Sequence, residues 1–296
     1  MRIGALLLTA ALAATTLPGC ERVPTDAGGA AAPAHARPID AVRGPARHLR
    51  ANDLVALARD AVPPELHARL AAAWAEDRSR WPLEELPLHG QLPRLIAALA
   101  APDAERTLMA GFERQFTGAE GELRHAVETL GAFGVQYLRN DPDLEDAERD
   151  RETQRLVALS RWALEAPLTD PARARAALAR LCAAARATGL DSEAALREAG
   201  MEDSLRRLSA FLAEAKAVLA DYGLDLDASL DAMAVDLEQQ TGDRARLRVR
   251  YALAGEPVDV RVEAERRDRR WYRSDWLRHA EAAAARAAPP PPSGGP

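Results

Sequence analysis

Two cysteines, six histidines, 45 carboxylates and 39 basic residues are the side chains of this 296-residue sequence with chemistry to offer. Cys182 follows Leu178 by four residues, on the apolar side of a helical segment. That position suits a buried thiol, since a free cysteine packs as a small hydrophobe; a nucleophile needs a histidine or a basic field beside it. The histidines stand at 35, 48, 67, 89, 125 and 279. None pairs with another at zinc-site spacing, so neither a metal nor a cofactor is expected. Asp221, Asp225 and Asp227 form a carboxylate cluster, but counted from Asp221 or Asp225 neither the glycine nor the glutamate of a calcium loop falls in place. A helix end at Gly223 and an N-cap at Asp225 or Asp227 account for the cluster. No Gly-x-Ser-x-Gly, P-loop, Gly-x-Gly-x-x-Gly or His-Glu-x-x-His motif occurs, and no carboxylate pair stands out for hydrolysis. The chemistry leans away from an enzyme.

Charge gives the sharpest contrast. The formal net charge is −6, which argues against nucleic acid as a partner. Residues 244–278 nevertheless hold 11 Arg and 6 acids, a local net of +5. Arg246, Arg248, Arg250, Arg261 and Arg270, with Trp271, form a candidate face for an anionic envelope component or an acidic protein surface. The competing expectation is a strand face whose arginines pair with Asp259, Glu263 and Glu265 while the aromatics lie in the core.

The N-terminus reads as an address. Arg2 precedes an apolar stretch, Ile3 to Leu17, too short for a comfortable membrane span but suited to a signal peptide. Leu17-Pro18-Gly19-Cys20 resembles the lipobox of bacterial lipoprotein precursors, with Pro18 a departure from the usual small or hydroxylated residue. The resemblance implies cleavage before Cys20, a lipid on Cys20, and attachment to a membrane through it. Glu21 is not the Asp associated with inner-membrane retention, so the implied location is the outer membrane, facing the periplasm.

The remaining chain supplies the elements. Alanine, the strongest helix former, contributes 66 residues. Asn52-Asp53, Pro64, Pro102, Asp141-Pro142, Asp170-Pro171 and Gly189 with Asp191 punctuate helices. Two apolar stripes, Leu123-Val127-Leu130-Gly134-Tyr137 and Leu205-Leu208-Leu212-Ala215-Leu219-Tyr222, have helical spacing and are expected to pack within the chain, being too short for a coiled coil. After Gly242 the period falls to two: Leu247, Val249, Tyr251 and Leu253, then Val258, Val260, Val262 and Ala264. The expected class is mainly α, a multi-helix bundle-like body with a small C-terminal antiparallel meander. The expected divisions are a signal over 1–19, a lipidated, flexible tether over 20–47, a helical body over 48–243, the meander over 244–278, and a short helix with a Pro-rich tail over 279–296. A long helix feeding a three-stranded meander that ends in Arg270-Trp271-Tyr272 resembles the sheet half of nuclear-transport-factor-2-like or cystatin-like domains; no functional residue carries over from it. The function expected is a non-catalytic binding module of the cell envelope. The alternatives are an envelope hydrolase without a recognisable motif and a carrier of an apolar ligand near Phe112, Phe116 and Phe133.

Overall fold

A computed structural model describes residues 36–85, 92–142 and 144–286. The signal, Cys20, His35, His89 and the tail from residue 287 lie outside the described residues. Among the described residues ten α-helices come first: α1 (Asp40–Arg50), α2 (Leu54–Asp60), α3 (Pro64–Ala75), α4 (Leu92–Ala100), α5 (Ala104–Gln115), α6 (Glu120–Asn140), α7 (Asp146–Glu165), α8 (Pro171–Thr188), α9 (Glu193–Asp221) and α10 (Leu226–Asp231). Four strands follow, β1 (Ala234–Thr241), β2 (Arg244–Leu253), β3 (Glu256–Arg267) and β4 (Arg270–Arg273), and then α11 (Ser274–Ala285). The mainly helical class with a C-terminal antiparallel sheet is the one the periodicity predicts.

Local chemistry sets most helix ends. The Asp53 carboxylate accepts the Ala56 N–H at 2.8 Å, and Asp170 accepts those of Ala172 and Arg173 ahead of Pro171. Gly189, at φ +61°, closes α8, and the Ser192 hydroxyl caps α9. Gly200, at φ +72°, breaks α9 into two helical runs. The second run buries Leu205 and Leu208 and half-buries Leu212, Ala215, Leu219 and Tyr222. This stripe helps to build the helical core around Trp74, whose indole N–H donates to the Leu196 carbonyl at 2.9 Å.

The sheet is a simple meander in the order β1-β2-β3-β4. Ala245, Leu247, Val249, Val258, Val260 and Val262 alternate onto one buried face and, with Trp271, form a second core. Helix α7 packs against that part of the molecule. Short β4 pairs only with residues 264–267, so the rest of β3 has no strand on that side. There the Gln154 side chain accepts the Asp259 N–H at 2.9 Å and donates to the Asp259 carbonyl at 3.0 Å, acting as a substitute strand.

Four expectations differ from what is observed. The tether is expected to run to residue 47, but helix begins at Asp40, because burial of Ala41, Val42, Gly44 and Pro45 outweighs the poor helix propensity of Gly and Pro. The sheet begins at Ala234 and not at 244. Only Val235 of β1 is buried, and a bulge near Glu238 breaks the alternation, so the strand has no apolar period. Asp141-Pro142, expected as a cap-plus-proline helix start, lies between helices, and α7 starts at Asp146 behind Glu145. Finally, the Leu123 to Tyr137 stripe is not buried: α6 carries no buried residue.

Both hairpins around β3 turn on two residues with positive φ, Ala254-Gly255 and Asp268-Arg269. Arg269 is exposed at φ +65°, where a Cβ clashes with the backbone. Arg269→Gly is therefore expected to stabilise the fold by roughly 0.5 kcal/mol, after the entropy of the freer unfolded chain is deducted. A higher urea midpoint at unchanged slope is the readout.

Candidate functional site

The outer face of the sheet brings four of the expected arginines together and neutralises each. Arg246 pairs with Glu263 at 2.8 Å, its direct neighbour across β2 and β3. Arg248 faces Arg261 in register, an unfavourable match that both side chains avoid by reaching sideways. Arg248 donates from Nε to Asp259 at 2.8 Å, and Arg261 reaches Glu238 at 3.0 Å. Arg250 pairs with Asp236 at 2.6 Å. Hydrogen bonds to Glu263 and Asp259 raise the Arg246 and Arg248 pKa values, and the Arg248 hydrogen bond holds Asp259 below the usual carboxylate range. Four cations thus meet four carboxylates, two of them from β1, the strand the sequence reading assigned to the helical body.

Arg270 and Trp271 do not join that face. Arg270 is half-buried and pairs with Asp60 of α2 at 3.3 Å. Trp271 is 1% exposed, because its position on β4 points into the sheet core, with the Arg266 guanidinium 5.7 Å from its ring. The expectation of a basic-aromatic surface is corrected to a paired, charge-balanced one.

A second cluster gathers where α7, α11 and the turn at Leu83–Glu85 meet. Asp275 is buried; Arg151 lies 3.0 Å from it, Arg273 donates to it from Nε at 3.0 Å, and it accepts the Trp276 N–H at 2.9 Å. Burial alone would raise the Asp275 pKa, but Arg273, Arg151 and the backbone donor overcome that and hold it below the carboxylate range. Nearby, His279 Nδ1 lies 3.2 Å from Glu85 and Nε2 lies 3.7 Å from Glu148, while Arg278 also pairs with Glu148. The hydrogen bond to Glu85 raises the His279 pKa against the opposing effect of burial. Two carboxylates about one imidazole resemble acid–base machinery, yet Glu148 is engaged with Arg278, Glu85 accepts the Trp81 indole N–H at 3.3 Å, and no described nucleophile is placed against the imidazole. The arrangement is an ionic clamp. Sequence reading missed it because its members stand far apart in the chain and meet only through the fold.

The other candidates have structural roles. Cys182 is buried, and burial pushes its thiol up, away from the thiolate a nucleophile needs. Asp225 caps α10 through the Ala228 N–H at 2.9 Å, Asp221 pairs with Arg180, and Asp227 pairs with Arg50 and Lys216. Among the described residues no group of three or more His, Cys, Asp or Glu is placed to hold a metal, and no helix is long and apolar enough to cross a membrane. A cavity of about 210 Å³ opens between α4 and α9, lined by Leu92, Ile96, Leu190 and Leu208. It falls below the roughly 300–1,000 Å³ usual for ligand pockets. None of the three phenylalanines lines it: Phe112 and Phe116 contact each other at 5.5 Å, and Phe133 faces solvent.

What remains is α6. Its inner side lies on α7, where glycine permits close approach: a Cβ at Gly134 would fall 2.7 Å from Leu156 Cδ2, and one at Gly131 2.8 Å from Ser160 Oγ. Its outer side exposes Leu130 (67%), Phe133 (66%) and Tyr137 (62%). At about 100° per residue these side chains project roughly a quarter-turn away from the α7 contact. A shallow depression lined by Phe133, Gln136, Tyr137, Asn140, Asp141 and Pro142 continues the strip. No protein-family model, curated protein or solved structure matches the chain.

Two outcomes are expected. Asp236→Asn, Asp259→Asn and Glu263→Gln together unmask the sheet arginines, so, with both chains produced without acylation of Cys20, the triple variant should co-sediment with anionic vesicles in low salt where the native sequence does not. Equal binding by the native chain would show the face already available. His279, with its raised folded pKa, contributes stability that is full below the ordinary histidine value of about 6.5 and lost as pH rises through the folded value. The stability gap between the native chain and His279→Gln should therefore narrow from pH 6 to pH 8.5 in urea titrations.

Proposed function

We propose that this chain is a lipid-anchored, non-catalytic interaction module of the bacterial cell envelope, facing the periplasm, and that it binds a protein partner through the outer side of α6. The observation that carries the reading is the strip of Leu130, Phe133 and Tyr137, each about two-thirds exposed on a helix with no buried residue. Three such side chains leave on the order of 400 Å² of apolar surface, within the range of the largest patch on a typical monomer, which is often a functional one. The strip is preorganised, since α6 is already seated on α7, so little ordering entropy opposes binding. The Leu17-Pro18-Gly19-Cys20 motif supports the anchor, and acyl chains on Cys20 would hold the body at the membrane. The paired sheet face and the ionic clamp support a body kept rigid behind the strip.

A photo-reactive residue placed at Phe133 in cells producing the full precursor should give a protein adduct, and one at Arg248 should not. An adduct at 248 alone would move the working surface to the sheet. Mass spectrometry of the mature N-terminus should find acylated Cys20; an unmodified terminus elsewhere would remove the anchor.

A further inference from the structure

The α6 strip has a pattern that selects among partners. Leu123, Ala126, Leu130, Phe133, Tyr137 and Asn140 recur at spacings of 3, 4, 3, 4 and 3. This is the seam of a helix that pairs with another helix. Run antiparallel against a copy of itself, the seam meets in complementary layers: Leu130 against Phe133 of the second copy, small Ala126 against large Tyr137, and Leu123 against Asn140. The residues flanking the seam away from α7 are Glu122, Thr129 and Gln136. In the antiparallel arrangement Thr129 lies beside Gln136 of the second copy, and Glu122 comes level with Asp141 only at the two ends of the seam, where solvent screens the pair.

Resting on the interaction reading above, we propose that the partner of α6 is a second copy of this chain, the two α6 helices packing antiparallel about a twofold axis near residues 131 and 132. A lipid surface suits the strip less well. Helix α6 carries Glu120, Glu122 and Glu128 against Arg124 and Arg139, which lacks the basic excess that draws an interfacial helix to anionic lipid. The seam is shorter than the three to four heptads an isolated coiled coil needs, but α6 is already folded on α7 and does not depend on pairing for its structure. Two strips together bury on the order of 800 Å² of apolar side-chain surface, less than the roughly 1,600 Å² of a standard stable interface. The dimer is therefore reversible in solution, and anchoring both copies in one membrane raises their effective concentration.

The test uses the purified full-length mature chain in mild detergent. Sedimentation velocity should show a monomer–dimer equilibrium that shifts with concentration. Phe133→Glu should weaken association at least about tenfold while leaving the circular dichroism spectrum unchanged. Mixed under oxidising conditions, an Ala126→Cys chain and a Tyr137→Cys chain should form a covalent heterodimer, and neither should cross-link to itself. Self-cross-linking of Ala126→Cys would show parallel pairing and overturn the geometry. A chain that stays monomeric at about 100 μM, with neither cross-link, would overturn self-association. If a foreign protein adduct at position 133 in cells accompanies that result, the interaction reading stands and only the self-pairing falls. If no adduct appears either, both fall.

Discussion

Trp271 and Tyr272 are adjacent on β4, and the alternation of a strand sends them in opposite directions. Trp271 enters the sheet core and Tyr272 the helical core. Four residues of strand thereby join two hydrophobic interiors that are otherwise distinct clusters. The chain then turns directly into α11, whose Leu277, Ala280 and Ala283 are buried in the helical core. Asp275 sits at this corner and is buried with Arg151 and Arg273 around it. A buried carboxylate left without those arginines would cost several kcal/mol, so the corner is held to one geometry more than it is stabilised by its charges. The position of the sheet relative to α2, α3 and α7 follows from this corner.

Given that frame, α6 has unusual freedom. Helix α7 has two working sides, one against the sheet and one against α6. Because α6 contributes no buried residue to either core, its outer surface is unconstrained by folding. The outer face of the sheet shows the opposite logic. Its arginines are numerous, but β1 and β3 return a carboxylate to each of the four at its centre, and the apparent basic excess of residues 244–278 is a property of the segment and not of the surface.

The same contrast explains what the sequence revealed. Caps and alternation are local, so Asp170, Gly189 and the β2–β3 hairpin were legible from neighbours alone, and the caps Asp53 and Asp225 to within one or two residues, against Asn52 and Asp227. Helix α1 and strand β1 were not, because both owe their conformation to distant partners. Ala41 and Val42 are buried in the sheet core, and β1 is an edge strand with one buried side chain. The α6 stripe was visible as a stripe, but helical spacing does not say whether an apolar face meets its own chain or something else. The clamp of Glu85, Glu148 and His279 left no local trace, since three ordinary surface-type residues become a cluster only through tertiary contact.

Lys216 is the sole lysine in the sequence, and it is buried. Its ammonium donates to the Leu49 carbonyl at 2.8 Å and pairs with Asp227, tying the end of α1 to α9 and α10. Apart from the N-terminus, the folded chain therefore offers solvent no primary amine. Amine-directed labels would pass over the folded body, and proteases that cut after lysine would find their one site shielded. Both become sensitive to this protein only where α1 or α10 parts from α9, so a single side chain doubles as a built-in reporter of local opening.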